Sequence, residues 1–382
     1  MPPLALTSPV RIGIAGLGRM GLYHLQRLSL RDDCRLVTGF DIDTSHAGRA
    51  EDHGCQFVND WATFLAQPDI ELVLIATPPD THARLAIDAL AAGKHVAVEQ
   101  PMCLSVADAD EMLEAAWRAD GLLGVVNNRR WDDDFQTALA TVQSGDLGRI
   151  HAIKLEIWEY GFRPGEIATR EIGWRADQCR GGGVLVEFGA TYFDQLLQLV
   201  PDSLESVYAR IPRICNPNTK LDAAELESHE GSEAGRAEDA FLAIVNFSTG
   251  LTARIEANLA SPTPVNSGWT VAGTRGGYRN FRKYRVTAEG EIYGTAVESI
   301  STDWDRCYFD IFQHVRLNAR AANAVNKDED DGAESFDSGC GPDQPLTTAA
   351  EARRVVQLIE AARQSALTGQ VVPISDTTTT GR

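Results

Sequence analysis

The run Gly16-Leu17-Gly18-Arg19-Met20-Gly21, with Asp41 twenty residues beyond its last glycine, is the first place where this chain could do chemistry. Glycines at this spacing let a backbone approach a pyrophosphate, and an acid at that distance can accept hydrogen bonds from ribose hydroxyls. Gly16 permits a tight turn, Gly18 lets the phosphates come close, and Gly21 lets a helix pack against a strand. A helix opening at Arg19 would point free N–H groups at the phosphates. A carboxylate at Asp41 repels a 2′-phosphate, so the expected cofactor is NAD rather than NADP. A second set lies far along the chain. Glu187, Thr191 and Asp194 are four and three residues apart, which puts them on one face of a helix.

These residues need elements to hold them. Val10 to Ala15 reads as a strand, Arg19 to Leu30 as a helix, and Arg35 to Phe40 as a second strand ending at the acid. Leu72 to Ala76, His95 to Val98 and Leu122 to Val126 read as further strands, separated by helices at Thr81 to Ala92 and Val106 to Asp120. Strands that alternate with helices imply a parallel sheet covered on both faces. The rhythm changes after Asn127. A helix at Phe135 to Ser144 is followed by strand candidates at Ile150 to Tyr160, Ser206 to Ile211, Ala240 to Ser248, Leu251 to Leu259 and Thr270 to Gly273. The fold class is therefore α/β for residues 1–127, with a parallel sheet, and α+β for residues 128–382, with a mostly antiparallel open sheet. Asn326 to Gln344 reads as an acidic surface loop, and Ala349 to Leu367 as a terminal helix.

Composition narrows the partners. The 382 residues carry 35 basic and 54 acidic side chains, a net charge of −19, which argues against nucleic acid and anionic membranes as partners. The seven cysteines lack zinc-ligand spacing, so the expectation is reduced thiols, a cytoplasmic location and no metal. No apolar run has transmembrane length, and Met1 to Pro9 does not read as a signal peptide.

Further segments carry a resemblance. Ala76-Thr77-Pro78-Pro79 with His82, Ala92-Gly93-Lys94-His95-Val96, Glu99-Gln100-Pro101, Asn128-Arg129-Arg130 and the stretch from Gly181-Gly182-Gly183 to Asp194 follow the glycine fingerprint in order. In this order they resemble the glucose–fructose oxidoreductase/inositol dehydrogenase (Gfo/Idh/MocA) family over nearly the whole length. The resemblance implies a Rossmann domain joined to an α/β domain whose open sheet mediates a homodimer or homotetramer. It implies NAD(P)-linked oxidation or reduction of a sugar, cyclitol or related polyhydroxylated metabolite. It places Gly16, Gly18, Arg19, Met20, Gly21, Asp41, Thr77, Pro78, His82 and Glu99 along the cofactor, with a capping or packing role as the alternative for His82. Gln100–Pro101 is a candidate cis bond.

Two positions depart from the family pattern. Gln100 stands where lysine is usual and Thr191 where histidine is usual. Oxidising an alcohol needs a group that takes the hydroxyl proton, and neither replacement titrates near neutral pH. Both can orient a substrate oxygen by hydrogen bonding. The family sets the face of Glu187 beside the nicotinamide. Glu187 is therefore the first candidate proton acceptor, with burial expected to raise its pKa, or else a carboxylate that only positions other groups. Tyr192 is a weaker candidate, being either catalytic or a core aromatic. Arg129, Tyr160, Arg175 and Asp194 are candidate substrate ligands. Tyr160 belongs to a cluster with Trp158, Glu159, Phe162 and Arg163 that either stacks on a sugar or marks a strand end or oligomer contact. An arginine near 129 or 175 either holds an anionic substrate group or serves as an ion-pair partner. Three functions compete: an oxidoreductase with an altered proton-transfer site, a redox-neutral NAD-using glycosidase or lyase, and a non-catalytic dinucleotide or sugar sensor.

Overall fold

Val10–Ala15 (β1) and Leu72–Ile75 (β4) are apolar and almost wholly buried, as strands covered on both faces must be. They sit side by side at the centre of a sheet whose other parallel members are Cys34–Phe40 (β2), Gln56–Val58 (β3), His95–Glu99 (β5) and Leu123–Val126 (β6). The order β6-β5-β4-β1-β2-β3 reverses direction at β1/β4, the switch point at which a doubly wound sheet opens a crevice. Thr347–Thr348 (β16) adds an antiparallel edge beside β6. Helices α1 (Arg19–Leu28), α2 (Ala47–Glu51), α3 (Trp61–Leu65), α4 (His82–Ala91) and α5 (Val106–Ala119) intervene. On α1 the buried residues Gly21, His24, Leu25 and Leu28 recur at helical spacing and form its inner face. The computed structural model describes residues 8–160, 174–175, 177–214, 237–325 and 347–375. Phe162, Arg163 and the acidic stretch 326–344 lie outside them.

The chain divides into two units. The first comprises residues 1–103, 107–127 and 305–353, the second 104–106, 128–304 and 354–382. The break at 127/128 is where the sequence rhythm changes. The segment from Asp305, expected in the second domain, groups with the first. Its helix α8 (Arg306–Val325) is held there by the Tyr308 hydroxyl, 2.6 Å from His24 Nδ1 on α1. Arg31 lies over the rings of Tyr308 and Phe312 on the same helix.

In the second unit the strands are β7 (Ile150–Tyr160), β8 (Leu204–Arg210), β9 (Ala240–Phe247), β10 (Thr252–Asn258), β11 (Ala260–Asn266), β12 (Thr270–Gly273), β13 (Gly277–Arg279), β14 (Arg282–Val286), β15 (Ile292–Ala296) and β17 (Val372–Pro373). They run in the order β15-β14-β13-β12-β7-β10-β9-β8-β17, with β11 also on β7. Every pairing is antiparallel except β7 with β10. The β9–β10 hairpin turns at Gly250, whose φ of +81° suits glycine. Along β7 the buried residues Ile153, Leu155 and Ile157 alternate with more exposed ones and face a single core.

That core is built on α7 (Val184–Leu199), which is apolar nearly all round and therefore buried. Phe193 and Leu196 pack with Phe241, Ala243, Val245 and Ile255. Helices α6 (Asp133–Gln143) and α9 (Ala349–Thr368) complete the α-helices of the described residues.

Asp194 is a charge inside this core, and both its oxygens accept from Arg130, Nε and Nη2 each at 2.7 Å. The two side chains are 3% and 4% exposed, so neither charge can turn to water if its partner is lost. Asp194→Ala should therefore lower stability by about 3–5 kcal/mol, and Arg130→Met in the same chain should restore most of it. Urea unfolding followed by tryptophan fluorescence measures both.

Candidate functional site

The nucleotide half of the site begins at the end of β1. Gly16 has φ +89°, and a Cβ there would meet the Thr77 backbone nitrogen at 2.7 Å. At Gly21 a Cβ would fall 1.9 Å from the Gly16 carbonyl oxygen. Neither position can hold a side chain while α1 starts directly over the strand end. Gly18 differs: it has φ −64° and nothing within 4 Å of a built Cβ. The space above it is open. The start of α1 has no side-chain cap and no acid in its first turn, so its N–H groups and Arg19 are suited to an anion. A tight turn, an open second glycine and an uncapped helix start together fit a dinucleotide pyrophosphate.

Asp41 follows β2 and is nearly buried. Its Oδ2 accepts from the Leu17 backbone N–H at 2.7 Å, and its Oδ1 from Asp43 N–H at 2.8 Å. His46 Nδ1 lies 3.0 Å from Oδ2. Three donors leave the carboxylate about one acceptor position for a ribose hydroxyl.

The other expected cofactor residues gather at the carboxyl ends of β4 and β5. Thr77 Oγ1 and Thr81 Oγ1 are 2.7 Å apart, and Pro78 precedes the turn that opens α4. His82 is buried between the Thr77 and Pro101 carbonyls, at 2.8 Å and 2.9 Å. Burial holds its pKa below the usual value even against those carbonyls. It is a spacer between two loops. The Gln100–Pro101 bond is cis. Glu99 turns inward, with Oε1 2.6 Å from His24 Nε2 and Oε2 accepting from the Gln100 N–H at 3.2 Å. His24 thus lies between Glu99 and Tyr308 and ties the phosphate helix α1 to β5 and α8. The sequence reading passed over His24, although its place on the apolar face of α1 was readable.

In the second unit, α7 presents the residues expected to do chemistry, but in unlike surroundings. Glu187 is in its first turn with the side chain 36% exposed, so the expected burial is not found; the residue lies at the rim of the helix start, 3.7 Å from Arg175 Nε. The Arg175 guanidinium lies over the Trp174 ring at 4.3 Å. Thr191 is buried one turn on, and Asp194 is the core partner of Arg130.

Tyr192 packs between Phe188 and Trp269, and burial pushes its hydroxyl up to about 12, with Arg129 opposing. It stays protonated at neutral pH, so it can donate or accept a hydrogen bond but is not a base for a substrate proton. Arg129 donates Nε to Asp132 at 2.8 Å and lies over the Trp304 ring at 5.5 Å. Trp304 Nε1 bonds the other Asp132 oxygen at 2.9 Å. Tyr160 ends β7, its backbone paired with Ala260.

The glycine triplet before α7 has a packing cause. Gly181 has φ +87°, a Cβ at Gly182 would strike the Arg175 carbonyl at 2.3 Å, and one at Gly183 would strike Glu238 Oε1 at 2.3 Å. Glu238 caps the helix instead of a local residue: Leu185 N–H donates to its Oε1 at 2.9 Å. Among the described residues no group of three or more His, Cys, Asp or Glu side chains is arranged to hold a metal ion.

The family description "Oxidoreductase family, NAD-binding Rossmann fold" matches residues 10–126, and "GFO/IDH/MocA C-terminal domain" matches residues 135–279. The chain belongs to the Gfo/Idh/MocA oxidoreductase family. Among curated relatives, myo-inositol 2-dehydrogenase of Thermotoga maritima is 28% identical over 203 residues, 52% of this chain and 58% of that protein. The match thus spans less than two thirds of that relative's length. The alpha-N-acetylgalactosaminidase of Shewanella oneidensis is 24% identical over 325 residues, 80% of this chain and 70% of that one. Among solved structures, the WlbA dehydrogenase from Bordetella pertussis in complex with NADH and UDP-GlcNAcA superposes with a TM-score of 0.73 at 23% identity, covering 96% of this chain and 99% of that one. At that identity the likeness is one of fold. No helix among the described residues is long and apolar enough to cross a membrane.

The glycine loop yields a paired expectation. Gly18→Ala should fold with stability within about 0.5 kcal/mol of the parent, because its Cβ meets nothing, yet weaken NADH binding by at least about 10-fold. Gly21→Ala should cost stability itself, about 1–3 kcal/mol or more, because the Gly16 carbonyl must move. Thermal melts and NADH fluorescence titrations separate the two.

Proposed function

We propose that this protein is an NAD-dependent oxidoreductase acting on a sugar, cyclitol or related polyhydroxylated metabolite. The observation that carries the reading is the complete nucleotide half-site: Gly16, Gly18 and Gly21 in their three distinct roles, with Asp41 bonded to the same loop. The names of the relatives, an inositol dehydrogenase and a dehydrogenase crystallised with a sugar nucleotide, support the substrate class. Bound NAD would accept hydride from a carbinol carbon. The chain's own residues must then bind the polyol and receive the hydroxyl proton. Asp41 and the adjacent Asp43 disfavour a 2′-phosphate, which supports NAD over NADP.

The proton falls to Glu187 by the state of its neighbours. Gln100 and Thr191 do not titrate, Tyr192 is held protonated, and Asp194 is committed to Arg130. Glu187 is ionisable, half-exposed and near a cation that can steady its charge. Gln100 and Thr191 orient substrate oxygens in this reading, and Arg129, Tyr160 and Arg175 bind the substrate. A homodimer or homotetramer formed through the open sheet, acting in the cytoplasm, belongs to the same proposal.

The alpha-N-acetylgalactosaminidase match, over 80% of this chain, favours one second reading: a redox-neutral use of NAD in which hydride leaves a sugar carbon and later returns. Product formed with only catalytic amounts of NAD and no net NADH distinguishes it.

Turnover of NAD should be detectable against a panel of cyclitols, sugars and sugar nucleotides. With the best substrate, Glu187→Gln should lower kcat by about 100-fold or more while leaving NADH affinity unchanged. Absence of hydride transfer across the panel, with NAD bound, contradicts the oxidoreductase reading; an unchanged kcat in Glu187→Gln contradicts the assignment of the proton acceptor.

A further inference from the structure

Asp43 accepts from the Ser45 N–H at 2.9 Å and so caps the short turn Thr44–His46 that leads into α2. The turn delivers His46 to Asp41, Nδ1 to Oδ2 at 3.0 Å, with the imidazole four-fifths buried. Because an ionised carboxylate only accepts, Nδ1 carries the proton in this contact. The same Oδ2 accepts from the Leu17 N–H, and the Leu17 carbonyl accepts from Arg49 Nη1 at 2.6 Å. Leu17, between the first two glycines of the fingerprint, is therefore held at both its peptides, the N–H by Asp41 and the carbonyl by Arg49.

We propose that His46 is a positioning residue that fixes the Asp41 carboxylate for the ribose hydroxyls and thereby sets the preference for NAD over NADP. The inference rests on the nucleotide reading above and deepens it. A carboxylate held on Oδ2 by His46 and Leu17 cannot rotate, so the open acceptor position on Oδ1 keeps one direction. A ribose hydroxyl donates to that position. A 2′-phosphate, which only accepts, finds no donor there and meets the charges of Asp41 and Asp43. The charged groups beside His46 are Asp41 and Asp43, while the nearby loop cation Arg49 donates to the Leu17 carbonyl. With His46 removed, Asp41 is held by the Leu17 and Asp43 N–H groups alone and loses its side-chain donor on Oδ2. Binding of NADH then meets a less firmly oriented acceptor, whereas NADPH, whose 2′-phosphate takes no hydrogen bond from Asp41, is little affected because the charges of Asp41 and Asp43 remain.

The test is fluorescence titration of NADH and NADPH into the full chain, which needs no substrate. His46→Ala should weaken NADH by about 10-fold and leave NADPH within about twofold, so that the selectivity ratio falls. His46→Asn, which keeps a donor near the place of Nδ1, should retain most of the parent ratio. In an Asp41→Ala background, His46→Ala should add nothing, because the residue it positions is gone. The inference is overturned if His46→Ala weakens both nucleotides equally, if His46→Asn behaves like His46→Ala, or if the His46 effect persists without Asp41. A parent chain that binds neither nucleotide overturns the cofactor reading and this inference with it; any of the other outcomes in a parent that binds NADH overturns this inference alone.

Discussion

The first unit depends on one close approach: the backbone of α1 passing over the Gly16 carbonyl at a distance no side chain allows. A Cβ on Gly21 would lie 1.9 Å from that oxygen. Because the helix starts so near the strand, its uncapped N–H groups face the crevice outside the sheet, where β1 and β4 diverge to opposite sides of the strand order. Other features maintain this approach. Leu17 is held from both sides by Asp41 and Arg49, and His24 joins the inner face of α1 to Glu99 and Tyr308. A buried histidine between a carboxylate and a phenol is costly to leave unpaired, which makes it an effective pin.

The second unit separates its polar residues by task. Asp194 and Arg130 neutralise each other inside the core. Glu238 spends its carboxylate on the start of α7, and burial raises its pKa above the usual carboxylate value. Arg129, Asp132 and Trp304 form a further linked set, in which burial raises the pKa of Asp132 while Arg129 opposes the shift. Glu187, in the first turn of α7, keeps a partly exposed side chain 3.7 Å from Arg175 Nε. Gln100 and Thr191 stand where the resemblance expects lysine and histidine, and neither side chain titrates near neutral pH.

Much of this was legible before any coordinates. Leu72–Ile75 reads as a strand because a parallel strand buried on both faces must be continuously apolar. The glycine fingerprint reads because backbone geometry restricts those positions to one residue type. Strands β14 and β15 were not legible: Val286, Ile292 and Tyr293 are exposed, so no buried face imposes an alternating pattern. Helix α8 carried a signal, Cys307, Tyr308, Ile311, Phe312 and Val315 at helical spacing, all buried, yet nothing local says it joins the first unit. That follows from Tyr308 meeting His24, 284 residues away. The site divides in the same way. Asp41 is readable from its distance to the glycines, whereas its partner His46 is fixed by a turn that only coordinates reveal. Asp194 reads as a candidate substrate ligand on the helix face of Glu187 and Thr191, whereas its carboxylate is sealed against Arg130, a pairing across 64 residues.

The central claim is that the first unit grips a dinucleotide through the glycine loop and Asp41. Calorimetric titration of NADH into the purified full chain, with analysis of any nucleotide carried through purification, tests it most directly. The account predicts saturable association of one nucleotide per chain, either on titration or already present in the isolated protein, and its loss in Gly18→Ala. No heat of binding together with no retained nucleotide would contradict it.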